Sequence, residues 1–178
     1  VRPLIEADPD LSRALLPLLD ARAMLYKTYR ELDRRVKQAA SHDAVCLRFM
    51  AIPGVGPIAA LTFRAAVDDP ARFTSSRTVA AHFGLTPRRY QSGESDNPGR
   101  ISKAGDRDVR ATLYAAANAM MMRSVASSEI KSWGLRLMRR KGRRRAVVAV
   151  ARKLAVIMHR MWADNTEFRH RPLEAAMT

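Results

Sequence analysis

The chain has a single cysteine among its 178 residues, Cys46. One thiol cannot form an internal disulfide, which excludes a small disulfide-stabilised domain and favours a reducing compartment, the cytoplasm. Because Cys46 lies among Val45, Leu47 and Phe49, we interpret it as a small buried hydrophobic residue rather than a nucleophile.

Long hydrophobic runs are also missing. No apolar run approaches the roughly 20 residues that a membrane-spanning helix requires, and no export leader with a cleavage site is recognisable. Since the first residue is Val1 rather than a methionine, we expect the chain to be part of a longer protein. With 47% hydrophobic residues it can still bury a substantial core.

Acidic residues are scarce: 17 Asp and Glu accompany 32 Lys and Arg, which gives a net charge of +15. The excess is concentrated in residues 99–178, which hold 18 basic and 6 acidic residues. Basic proteins bind polyanions by displacing condensed counterions, so we expect this last part of the chain to bind nucleic acid. A peripheral domain that uses the basic face on an anionic membrane or on another protein is an alternative.

Apolar residues recur at helical spacing over residues 15–39, and several of them lie seven positions apart. This pattern predicts a long amphipathic helix. About three heptads do not distinguish a coiled coil from a helix packed on its own domain, so both interpretations stay open. The apolar positions are Leu15, Leu18, Leu25, Tyr29, Leu32 and Val36.

The rest of the chain has similar helical patterns, broken by short turn-rich segments. Asp106 and Ser128 stand where helices should begin, and Gly142 should end one. Between residues 68 and 98 we expect a short helix capped by Ser75 or Ser76, then a loop or short hairpin. The fold prediction is mainly α, with a helical linker segment at 1–44, for which a coiled coil stays open, and a helical domain at 45–178.

The segment IPGVGP, residues 52–57, joins two predicted helices and has the form of a helix-hairpin-helix turn. Pro57 suits a first helical turn, and the backbone N–H groups of Gly54, Val55 and Gly56 could hold a phosphate at the start of the second helix. A plain corner between two helices would use the same residues, so both interpretations stay open.

A dense basic run, RLMRRKGRRR, lies at residues 136–145 with seven cations around Gly142. A charge run is commonly only a solvated face. Because this one lies between two apolar-patterned helices and has few aromatic neighbours, we expect it to bind phosphates rather than to stack on unpaired bases. The expected contacts are Arg139, Arg140, Lys141, Arg143, Arg144 and Arg145.

The stretch GRISKAGDRDVR, residues 99–110, surrounds Ser102 with cations. Arg100, Lys103, Arg107 and Arg110 could position a phosphodiester beside this hydroxyl. A serine in a turn is usually a cap, and a nucleophilic serine needs a base or a metal to take its proton. The histidines and carboxylates have no ligand spacing, so we expect no metal in this chain and place any metal ligands outside it.

Taken in order, IPGVGP, ARF, AHFGLTP, ISKAGDRDVR and LYAAA, followed by the tail WGLRLMRRKGRRRAVVAVARKLAVIMHRMW, resemble the C-terminal domain of insertion-sequence transposases of the IS-one-ten and IS-one-sixteen type, relatives of the Piv DNA invertase. The resemblance covers about residues 45–162. It implies a recombinase in which an N-terminal RuvC-like domain holds Mg²⁺ through four acidic residues. A coiled coil then leads to a domain with a nucleophilic serine, and a structured bridge RNA guides the protein to DNA.

Ser102 falls where the family's serine falls, so the resemblance implies that Ser102 forms a covalent phosphoserine link to a DNA strand. It also implies DNA and a guide RNA as partners and a homo-oligomer as the assembly. This chain has no RuvC-like domain, and we therefore expect it to be inactive alone. The alternative is a non-catalytic, nucleic-acid-binding remnant of a transposase.

Overall fold

The computed structural model describes residues 2–92 and 95–169. The chain divides into two compact units, Val1–Ala39 and Ala40–Thr178. Within the described residues the secondary structure consists of eight α-helices, one 3₁₀ turn and one pair of strands. The prediction of a mainly α fold is confirmed.

The first unit is built from two helices, α1 (Arg2–Glu6) and most of α2 (Pro9–His42). The carboxylate of Asp8 accepts hydrogen bonds from the N–H groups of Asp10 and Leu11, which fixes the start of α2. The long helix predicted over residues 15–39 is confirmed, whereas α1 was not predicted. Most of the predicted apolar positions of α2 are exposed, among them Leu18, Leu25, Tyr29 and Leu32, whereas Val36 is half-buried.

Four short elements begin the second unit, and three of them have a side-chain cap. Asp43 accepts from the N–H of Cys46, Asp69 from that of Ala71, and Ser75 from that of Arg77. Of the two serines expected to cap the short helix, Ser75 is the one that does so. In chain order the elements are α3 (Ala44–Met50), α4 (Pro57–Val67), a 3₁₀ turn (Pro70–Arg72) and α5 (Ser76–His82).

The turn-rich stretch after α5 forms an antiparallel hairpin of β1 (Pro87–Ser92) and β2 (Ser95–Ile101). Pro87 pairs with Ile101 at its open end, and the register shifts between Pro87 and Arg89. The sequence left a loop or a hairpin open here, and the structure has the hairpin. Its open end leads directly into the GRISKAG segment.

Three longer helices complete the second unit: α6 (Arg107–Met122), α7 (Glu129–Lys141) and α8 (Arg143–Ala163). The predicted helix starts are confirmed, because Asp106 caps α6 and Ser128 caps α7 through their side-chain oxygens. Gly142 separates α7 from α8, also as predicted.

The core lies around α8, which packs against α3, α5, α6 and α7. Phe49, Phe63 and Phe83 form an aromatic chain within it, with ring centroids 5.5 Å apart for the first pair and 5.9 Å for the second. The apolar face of α6 is buried, and its residues are Val109, Leu113, Ala116, Ala117, Met120 and Met121. No helix in the described part of the chain combines the length and apolar composition needed to cross a bilayer.

Candidate functional site

Ser102 lies in the loop between β2 and α6, and two backbone hydrogen bonds fasten that loop to the segment after α5. The N–H of Ser102 donates to the carbonyl of Thr86 at 2.9 Å, and the N–H of Lys103 donates to the carbonyl of Gly84 at 3.1 Å. The AHFGLTP and ISKAG motifs are therefore parts of one structure. We call residues 102–106 the Ser102 loop.

Two glycines allow the two motifs to pack backbone against backbone. Gly84 has φ of +66° and Gly105 has φ of +70°, values that side chains of L-residues rarely adopt. A Cβ atom at Gly84 would overlap the backbone nitrogen and oxygen of Ala104, and one at Gly105 would overlap the carbonyl oxygen of His82. The Ser102 loop thus keeps its position only with glycine at both places.

The Ser102 hydroxyl is half-buried at the edge of this packed segment. Its Oγ accepts a long hydrogen bond of 3.4 Å from the N–H of Ala104. Lys103, the next residue, has φ of +56°, which is uncommon for a side chain of this kind. Strained backbone held by surrounding packing is typical of functional loops, so the geometry favours a fixed presentation of the hydroxyl.

Arg110 holds the Ser102 loop in place through hydrogen bonds of its guanidinium. Its Nη1 lies within hydrogen-bonding distance of four carbonyl oxygens, those of Phe83 (3.2 Å), Ala104 (2.7 Å), Gly105 (2.9 Å) and Asp106 (3.0 Å). The sequence interpretation gave Arg110 a phosphate-positioning role. In the structure this nitrogen holds the loop, because carbonyls from two chain segments converge on it, and the phosphate-positioning role stays a prediction.

The other three cations predicted around Ser102 are exposed: Arg100 at the end of β2, Lys103 in the loop, and Arg107 at the start of α6. The structure adds Arg88, whose Nη2 donates to the Ser102 carbonyl at 3.1 Å. Sequence reasoning missed Arg88. The available signal was its position directly after the AHFGLTP motif, two residues beyond Thr86.

The IPGVGP turn does not offer the three free backbone donors that were predicted. The N–H of Val55 donates to the carbonyl of Ile52 at 3.0 Å, and the Val55 side chain is buried. A Cβ at Gly54 would lie 2.6 Å from the Ala116 oxygen and from the Met120 nitrogen of α6. Close packing on α6 therefore accounts for Gly54, whereas Gly56 lies next to open space.

The basic run lies at the corner between α7 and α8, and all six of its predicted phosphate contacts are exposed. Arg143 at the start of α8 donates from Nη2 to the Asn118 Oδ1 of α6 at 2.9 Å. This bond fixes one cation of the run, and the others project from the helix ends. The six residues are Arg139, Arg140, Lys141, Arg143, Arg144 and Arg145.

Metal-binding side chains do not cluster. Within residues 2–92 and 95–169, no three His, Cys, Asp or Glu side chains lie close enough together to hold a metal ion. The described residues of this chain therefore do not fit a Mg²⁺ site by themselves.

Cys46 is fully buried, as the sequence predicted. Burial, together with the nearby Asp43 carboxylate, raises the pKa of its thiol to about 11. A thiolate is the reactive form of cysteine, so this side chain is a poor nucleophile at neutral pH.

Comparison with known proteins gives a consistent result. Residues 46–132 match the family described as Transposase IS116/IS110/IS902 family. The chain is 30% identical over 171 residues to a putative transposase, y4pF/y4sB, of Sinorhizobium fredii (93% of this chain, 44% of the relative). It is 36% identical over 140 residues to the transposase for insertion sequence element IS1111A of Coxiella burnetii (78% and 38%).

A further relative is the pilin gene-inverting protein of Moraxella bovis, 28% identical over 123 residues (67% of this chain, 37% of the relative). The chain spans less than half the length of each of these three relatives.

Proposed function

Because residues 46–132 form a domain of the IS116/IS110/IS902 transposase family and the relatives include several transposases, we propose that this chain is the C-terminal part of a DNA transposase or recombinase. The observation that carries the proposal is the Ser102 loop, a fixed hydroxyl among exposed cations inside the matched region. It supports a role in cutting and rejoining DNA strands.

In the proposed reaction, the Ser102 Oγ attacks a DNA phosphodiester. A bond forms between Oγ and phosphorus, and the bond from phosphorus to one deoxyribose oxygen breaks. The serine gives up one proton and the leaving sugar hydroxyl takes one, so the step is balanced. Energy is conserved in the phosphoserine ester, which a sugar hydroxyl of another strand can attack in reverse.

Three cations have defined parts in this proposal. Arg100, Lys103 and Arg107 bind the phosphate oxygens and offset the negative charge that develops as Oγ attacks. Arg110 acts indirectly, because its guanidinium holds the loop carbonyls in place. The basic run at the α7–α8 corner binds phosphates of DNA and of a structured guide RNA away from the reacting bond.

In the proposal, the metal-binding residues that the reaction needs lie outside this chain. A RuvC-like domain elsewhere in the whole protein would supply acidic ligands for Mg²⁺, and a metal ion held there would make the serine proton easier to remove. The chain alone is then inactive, and the whole protein works in the cytoplasm.

The exposed apolar positions of α2 support a homo-oligomer. Leu18, Leu25 and Leu32 lie seven residues apart and are each more than half exposed. We assign them to a coiled-coil contact with a second copy. Two active serines in one assembly would suit the exchange of strands between two DNA sites.

A covalent adduct tests the nucleophile. Full-length protein is incubated with end-labelled DNA carrying the transposon junction, denatured, and separated on a gel that resolves protein-linked DNA. We expect an adduct with the wild-type protein and with Ser127→Ala, since Ser127 is an exposed serine outside the loop. Loss of the adduct only in Ser102→Ala supports the proposal, whereas an adduct that persists in that variant overturns it.

The second candidate is a nucleic-acid-binding remnant without catalysis, favoured by the exposed basic run. It predicts salt-sensitive binding that Ser102→Ala leaves unchanged, and no adduct in any context.

A further inference from the structure

A groove beside the Ser102 loop is lined by cations from two helices. Arg77 comes from α5, and Arg152 and Lys153 come from α8, while Thr86 and Ile157 lie between them; the volume is about 500 Å³. We call these five residues the α8 groove. Thr86 links the groove to the reacting hydroxyl, because its carbonyl accepts the hydrogen bond from the N–H of Ser102.

The α8 groove continues into a second one of about 480 Å³ on the other side of Lys153 and Ile157, which line both. Trp133 and Arg136 of α7 and Arg169 line this second part. The Lys153 Nζ lies 4.0 Å from the centroid of the Trp133 ring, a cation–π contact that fixes the ammonium at the junction. The two parts form one track along α8.

Three cations of the track have no ion-pair partner among the residues that the structure describes. In the described part of the chain, no carboxylate lies within salt-bridge distance of Arg77, Arg152 or Lys153, and Glu129 is the sole acidic residue that lines either part. Cations held near one another repel, so an anion that bridges them is stabilised. Their spread over two helices suits an extended anion with several charges better than a single ion.

The dimensions favour one polynucleotide strand. Grooves of 300–1,000 Å³ hold small molecules, so each part has room for about one or two nucleotides and not for a duplex. Most of the polar lining groups are cations, and the aromatic side chains in the lining are Trp133 and Phe168, both in the second part. The track is therefore suited to bind backbone phosphates rather than to recognise base edges.

We propose that the α8 groove and its continuation bind the backbone of the DNA strand that Ser102 attacks, on one side of the scissile phosphate. This inference rests on the proposed function and assigns Arg77, Arg152 and Lys153 as positioning residues. They are separate from the basic run at the α7–α8 corner, which the sequence had singled out.

The first test measures binding of a fluorescein-labelled single-stranded oligonucleotide to the 178-residue chain by anisotropy, over a series of salt concentrations. For single strands each lost phosphate contact lowers the slope of log K against log salt by about 0.7. Arg152→Gln with Lys153→Gln should therefore lower that slope by about 1.4. Both side chains are exposed, so the substitutions leave the helical circular dichroism signal unchanged.

The matched control is Arg22→Gln with Lys27→Gln, which removes one Arg and one Lys from exposed positions of α2. It has the same net charge as the groove variant and should bind like the wild-type chain. Equal losses in both pairs would mean that total charge decides binding, and would overturn the proposal. A loss confined to duplex DNA, or preferential binding of the wild-type chain to anionic vesicles, would overturn it as well.

The second test uses Trp133 as a reporter. The chain has two tryptophans, and Trp162→Phe leaves Trp133 as the only one. We expect its fluorescence to change when the oligonucleotide is added, because the strand would pass beside Lys153. In the Trp133→Phe variant the remaining Trp162, packed against Phe49 and Arg64, should not respond. No response from Trp133 would overturn the proposal.

The results also separate the groove from the nucleophile. If the groove variant has an unchanged salt slope and the full-length protein forms a Ser102-dependent adduct, only the groove proposal is overturned. A lowered slope with no adduct removes the catalytic function and the scissile-strand assignment with it. Absence of any salt-sensitive binding by the wild-type chain removes the groove proposal, and the adduct assay then decides the nucleophile alone.

Discussion

The backbone N–H of Ser102 lies 2.9 Å from the carbonyl oxygen of Thr86, and this hydrogen bond joins two motifs that are 16 residues apart in sequence. The carbonyl belongs to the segment after α5, and the N–H to the loop before α6. Because Thr86 also lines the α8 groove, the same residue connects the candidate nucleophile with the candidate strand-binding surface.

Replacing Gly84 with alanine should destabilise the second unit. The left-handed backbone conformation costs about 1–2 kcal/mol for an L-residue, and the new methyl group would overlap Ala104. Urea unfolding of Gly84→Ala measures the loss. Gly56→Ala is the control, because no heavy atom lies within 4 Å of its Cβ and its φ is −99°; equal effects of the two substitutions would contradict the packing described.

Replacing Arg110 with lysine should loosen the Ser102 loop although the charge is kept. A guanidinium offers a planar set of donors that an ammonium cannot reproduce, and hydrogen bonds to charged groups contribute about 1.5–3 kcal/mol. We expect a loss of unfolding free energy in that range, together with faster amide hydrogen exchange at Ser102 and Lys103. Arg107→Lys, at an exposed position, should change neither quantity.

His159 is buried and links α8 to the start of α5 through a hydrogen bond. Its Nε2 donates to the carbonyl of Pro70 at 3.0 Å, and its Nδ1 lies 2.9 Å from the Ser76 Oγ, which in the neutral imidazole donates to it. His159→Phe leaves both partners unsatisfied, at about 1–3 kcal/mol for each buried group. Ser76→Ala removes one bond and should cost about half as much in urea unfolding; a larger cost for Ser76→Ala would contradict this assignment.

The Cys46 thiol should resist alkylation at pH 8 in the native chain and react readily in denaturant. Its native pKa of about 11 lies above the ordinary value of 9.0. Between pH 9 and pH 11 the unfolded thiol loses its proton while the native thiol keeps it. The contribution of this thiol to the free energy of unfolding is therefore fully present below pH 9 and falls as the pH rises toward 11. The free energy of unfolding of Cys46→Ala, measured over the same pH range, should lack this part of the pH dependence.

Replacing Leu25 with aspartate should convert an oligomer of this chain into a monomer. Leu25 is 71% exposed and belongs to the seven-residue series of α2. Met24 is 73% exposed but lies outside that series, so Met24→Asp should leave the sedimentation coefficient unchanged. A monomeric wild-type chain, or equal effects of the two variants, would contradict the coiled-coil assignment.

Helix positions and caps could be predicted from the sequence because they depend on near neighbours. Asp106 and Ser128 lie within three residues of the N–H groups that they accept from. Ile157 of α8, which is only half-buried, lines the groove.

The sequence by itself determined the helical fold, the basic surface and the family resemblance, because these follow from local spacing, composition and an ordered set of motifs. Only the tertiary structure decided that Arg110 holds a loop, that the Val55 N–H is occupied, and that Arg77 and Arg152 face one groove. Each of these depends on backbone or side-chain groups brought together from distant segments, such as Phe83 and Arg110, which lie 27 residues apart. Local periodicity carries no information about such pairs, since the packing of whole helices brings them together.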